Sequence, residues 1–123
     1  MEIDSVIRIP VADDKDFYVK WLSFLRPIHN MTNTDMSIVA SFLKKRSDIL
    51  SKKNDVDIDE EMKKRSVVKE IMDECGMEYH NFSVYMNRLR KGGIIVDGVI
   101  NKKLIPNVKK GKKFIAVMYF DKK

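Results

Sequence analysis

The sequence has few of the residues that usually carry chemistry. Its only cysteine is Cys75, and its two histidines are His29 and His80. A single cysteine excludes an intramolecular disulfide, so a reducing compartment, or one where cross-linking is not needed, is expected. With two scattered histidines it gives no zinc-ligand spacing. There is no glycine-rich phosphate loop among the five glycines. The acidic run "DVDIDEE" (55–61) lacks the glycine and the spacing of a calcium loop, and reads as a solvated linker or the acidic cap of the next helix. No apolar run approaches the roughly 18 residues that span a bilayer. Met1 is followed by Glu2 and Asp4 rather than by a basic segment and an apolar core, so no signal peptide is expected. These absences predict a protein that is not an enzyme, with no cofactor, no metal and no membrane association.

What is present is enough apolar material for a core. A chain of 123 residues with 44% hydrophobic content predicts one compact domain with a short appended arm, burying roughly 65% of its unfolded surface. Its net charge of +6 is unevenly divided. Residues 1–60 hold 9 Lys/Arg against 11 Asp/Glu, whereas residues 61–123 hold 15 against 7. From residue 79 onward 11 basic residues face two acidic ones, Asp97 and Asp121. A nucleic-acid face has this asymmetry, because phosphates are met mainly by Lys and Arg. A solvated lysine-rich surface has it as well.

Along the chain, "IDSVIRIPV" (3–11) alternates loosely and predicts an edge strand or extended arm. "DDKDFYVKWLSFLRP" follows as a helix capped by Asp13 or Asp14 and stopped by Pro27. Its aromatic members Phe17, Tyr18 and Trp21 suit either core packing or docking onto a protein partner. Thr32 with Asp35 three residues later has the arrangement of a capping box. Met36, Val39, Ala40, Leu43 and Leu50 then recur at helical spacing. Residues 51–60 read as a loop. "EEMKKRSVVKEIMDECG" reads as one helix with Met62, Val67, Val68, Ile71, Met72 and Cys75 buried and Gly76 as its left-handed stop. A last helix is predicted over 79–91, with Phe82, Tyr85, Met86 and Leu89 inward. "IIVDGVI" carries the Asp-Gly hairpin signal, and "KLIPNV", "KKGKK" and "FIAVMYF" read as strand, basic turn and closing strand.

The order helix, glycine-containing turn, helix, hairpin resembles a winged helix-turn-helix. The likeness is clearest in "SVVKEIMDECGMEYHNFSVYMNRLRKGGIIVDGVI". Gly76 matches the turn, Leu89 the last core position, and Gly92 or Gly93 with Ile94-Ile95 the opening of the wing. The resemblance implies an α+β fold in which a three-helix core and C-terminal wing (32–123) follow an arm and aromatic helix (1–31). It also implies a recognition helix at 79–91 set in the major groove of double-stranded DNA. Asn81, Ser83, Asn87, Arg88 and Lys91 are then the candidate contacts, with Lys109, Lys110, Lys112 and Lys113 at the wing tip against phosphates. "WLSFLRPIHNMTNTDMSIVASFLKKR" and "NFSVYMNRLRKGGIIVDGVINKKLIP" are similar to small proteins of tailed bacteriophages, including crAss-like phages. That similarity implies a DNA-binding protein of the host cytoplasm, or a virion component using the fold for protein contacts through Phe17, Tyr18 and Trp21.

Overall fold

The computed structural model describes residues 8–53, 55–106 and 114–116. They form a mostly helical α+β arrangement of five helices and one small antiparallel hairpin. Residues 1–7 of the predicted arm, the four lysines expected at a wing tip and most of the predicted closing strand lie outside the described residues.

Helix α1 spans Asp14–His29. Asp13 caps it by accepting the Asp16 N–H at 2.8 Å. Asp16 accepts the Ala12 N–H and the Lys20 ammonium, and these hold its carboxyl below the usual carboxylate range, the Ala12 bond first. Pro27 does not stop α1, contrary to the sequence reading. A proline this late costs one backbone bond, and the final turn still closes through the Asn30 N–H on the Arg26 carbonyl at 2.7 Å. Asn30 then takes the left-handed conformation (φ 52) that asparagine tolerates at a helix end. Tyr18 and Leu22 are buried and join the same core as the helices that follow.

Helix α2, Asn33–Lys52, begins with the predicted capping box: Thr32 accepts the Asp35 N–H, and Asp35 accepts the Thr32 N–H. Met36, Ile38, Val39, Ala40, Phe42 and Leu43 are buried. Leu50 is exposed rather than buried. It carries the apolar stripe past the core, and Ile49 is the residue that packs inward in that turn.

The helix predicted from residue 60 is two helices. Helix α3 is Ile58–Lys63 and helix α4 is Arg65–Glu74, with Lys64 extended between them (φ −61, ψ 139). The reason lies in the spacing of the apolar residues. At about 100° per residue, nine residues in one continuous helix would put Met62 on the opposite side from Ile71. The break turns both inward, and both are buried. The acidic run before them caps α3 through Asp57, which accepts the Glu60 N–H. Glu61 sits between Lys64 and Lys53, and the Lys64 hydrogen bond leads in holding its carboxyl below the usual range. Cys75 is half-buried rather than core, and its thiol donates to Ser41 Oγ at 3.6 Å.

Helix α5, Tyr79–Lys91, is followed by β1 (Ile95–Val96) and β2 (Val99–Ile100) in the register Ile95↔Ile100 and Val96↔Val99. Asp97 and Gly98 both have positive φ (54 and 81), as a two-residue hairpin turn with the strand twist requires. Of the strand predicted at 103–108, Lys103 and Leu104 belong instead to a 3-10 turn at Lys102–Leu104, and residues 107 and 108 lie outside the described residues. The cause of the turn is local: the Asn101 side chain accepts the Lys103 N–H at 3.1 Å, a side-chain turn that competes with extended backbone. Leu104 is thereby buried, and its carbonyl accepts the Trp21 indole N–H at 2.9 Å.

Candidate nucleic-acid interface

Helix α5 is defined at both sides by the same device. Helix α4 ends in Gly76 (φ 65), where the Gly76 N–H bonds the Asp73 carbonyl and the Met77 N–H bonds Met72. Helix α5 ends in Gly93 (φ 74), where the Gly93 N–H bonds Arg90 and the Ile94 N–H bonds Leu89. Each is a Schellman closure, which uses the last carbonyls of a helix and redirects the chain sharply. The first turns the chain within four residues, 75–78, from α4 into α5. The second aims it into the hairpin. Of the two candidate glycines at the hairpin's opening, Gly93 is the one with the left-handed backbone.

Phe82, Met86 and Leu89 are buried and fix the roll of α5, with Tyr85 half-buried beside them. At about 100° per residue, the line diametrically outward runs through His80, Val84, Asn87 and Lys91, all exposed. Asn81 and Arg88 lie on one flank, and half-buried Ser83 lies on the other. Of the five contacts predicted on this helix, Asn87, Arg88 and Lys91 come together around a shallow depression that Val84 completes. Ser83 and Asn81 do not share that depression.

The charged side chains of this face are partly tied. Arg88 Nη2 lies 3.1 Å from Asp35 Oδ2, the Arg88 side chain 52% exposed and that of Asp35 2%. The Asn87 side-chain oxygen accepts from Arg90 Nη1 at 3.0 Å. Lys91 has no carboxylate within ion-pair reach among the described residues. Helix α5 itself contains no acidic residue. By contrast, the α2–α4 surface is internally neutralised: Lys44 lies near Asp48 and Glu74, and Lys45 pairs with Glu70.

Arg90 and Asp35 were not among the predicted contacts. Arg90 had a signal, being three residues from Asn87 and so adjacent on a helix. The Asp35–Arg88 pair had none, because Asp35 is already accounted for locally by its capping box. The aromatic residues considered for protein contacts are used inside the chain. Tyr18 is buried, and Phe17 and Trp21 each meet Phe114 edge-on at 5.4 Å between ring centres. Lys109, Lys110, Lys112 and Lys113 lie outside the described residues. Among the described residues no cluster of His, Cys, Asp or Glu is placed to hold a metal ion, and no helix is long and apolar enough to cross a membrane. Comparison with known proteins found no matching family model, no matching curated protein and no matching solved structure.

Proposed function

We propose that this chain is a winged-helix domain that binds double-stranded DNA, with the outer face of α5 set in the major groove. The observation that carries the reading is the composition of that face: two cations, Arg88 and Lys91, beside Asn87, on a helix that contains no acidic residue and whose opposite side is locked in the core. The order α4, four-residue turn, α5, hairpin supports it as the arrangement of a groove-reading unit. Asn87 and Arg88 have the donors and acceptors that pair with adenine and guanine edges, and exposed Val84 suits a thymine methyl. Lys91, beyond them on the outward line, suits a phosphate. The basic balance of residues 61–123, to which Lys109, Lys110, Lys112 and Lys113 contribute, has the same sign.

The test is duplex DNA binding by fluorescence anisotropy over a salt series. The expected result is retention at about 50 mM salt and a linear fall of log K with log salt, about 0.9 in slope for each phosphate contact. Lys91→Ala should lower that slope by about one. A protein that does not bind any duplex at low salt overturns the reading.

A second reading, a structural subunit of a particle such as a phage virion, has its own observation. On α1, Phe24 and Ile28 are one turn apart and are 44% and 74% exposed. Adjacent exposed apolar side chains suit protein contacts.

A further inference from the structure

Asp35 is a charged residue in an unusual position. The capping box of α2 needs one of its oxygens, and a solvent-exposed carboxylate performs that role equally well. Here the residue is 1% exposed. Oδ2 accepts the Thr32 N–H at 2.9 Å and forms the ion pair with Arg88 Nη2 at 3.1 Å, while Oδ1 has no hydrogen-bond partner among the described residues. Burying a carboxylate with one oxygen unused is unfavourable unless a cation stays beside it. The pair therefore acts in one direction. Asp35 cannot reach a ligand itself, but it restricts where the guanidinium of Arg88 sits.

Arginine has five N–H donors in a planar fork. Asp35 holds the guanidinium by an ion pair at Nη2, and the described residues take no hydrogen bond from any of its nitrogens. Half of the side chain remains in solvent, beside Asn87 and Lys91 at the rim of the depression on α5. A free arginine loses rotamer freedom when it docks, and one already held loses less. We infer that Asp35 is a positioning residue for Arg88, presetting its free donors for a guanine edge, the commonest base contact of arginine. The inference rests on the DNA-binding reading above and adds that base discrimination at one position depends on a carboxylate that never meets the DNA.

The experiment is selection from a random duplex library, followed by binding of the selected site and of single-base variants, on the full chain. The wild-type protein should select a site with a guanine whose replacement weakens binding. Asp35→Asn keeps an amide oxygen for the Thr32 N–H but removes the charge that holds Arg88. It should reduce the preference for that guanine by about threefold to tenfold. Arg88→Lys keeps the charge, loses the fork, and should erase the preference at the same base pair. Asp48→Asn removes the same charge from the same helix away from Arg88 and should leave the preference unchanged. Thermal melts establish that each variant is folded, and if Asp35→Asn is not, a preference that survives Arg88→Lys still overturns the inference. DNA binding with no guanine sensitive to Arg88→Lys overturns the inference while the binding reading stands. An undiminished preference in folded Asp35→Asn does the same. Absence of DNA binding by the wild-type chain overturns both.

Discussion

Gly76 has φ 65, and a Cβ built on it meets no atom within 4 Å. Gly76→Ala therefore isolates the backbone cost of a left-handed residue, about 1 kcal/mol, or a fall in Tm of roughly 4 °C for a domain of this size. Gly92 supplies the comparison. It has no left-handed φ, and its added Cβ would approach the Arg88 carbonyl at 3.5 Å, an ordinary contact, so Gly92→Ala should not lower Tm. Calorimetric melts check both, and equal effects would contradict the closure of α4 described above. The sequence shows a glycine at each place, and also the Thr32–Asp35 capping box, because these are signals carried within four residues. It does not show the Asp35–Arg88 pair. Contacts between residues far apart in sequence have no local signature, and each partner already had a satisfactory local explanation.

At the scale of elements, α5 and the hairpin are legible because one period and one turn dipeptide specify each. The division between α3 and α4 is not, because "EEMKKRSVVKEIMDEC", the stretch before Gly76, contains no glycine or proline. What splits it is the core, which needs both Met62 and Ile71, and no single straight helix delivers them to one side. The consequence is measurable. Met62→Ala should cost about 2–4 kcal/mol, as for other buried methionines. Leu50→Ala, on a side chain that sequence periodicity assigns to the core, should stay within about 0.5 kcal/mol. Urea denaturation of the two variants separates the alternatives, and a small loss for Met62→Ala would mean that α3 is not packed in the core.

For the whole molecule, the α+β class and the placement of its only hairpin among the described residues follow from composition and spacing. The partner does not. The unequal charge of the two halves points one way, and exposed Phe24 and Ile28 point another. If those two side chains join copies of the chain, sedimentation should show association that rises with protein concentration. Phe24→Ser combined with Ile28→Ser should abolish it while leaving the fold intact, since neither side chain is in the core. Sedimentation of the wild-type chain that is independent of concentration counts against self-assembly through α1.

Trp21 is the only tryptophan in the chain, and its indole hydrogen bond reaches Leu104 across 83 residues. That gives the molecule a built-in optical reporter. Indole emission follows the union of α1 with the segment after the hairpin, a contact that must wait for most of the chain to be in place. The outward line of α5 contains no tryptophan, so a change in that emission marks the opening of the fold, whereas the proposed occupancy of the α5 face by DNA would be read from a label on the duplex. The two events are thus observable separately in one sample, without altering a residue.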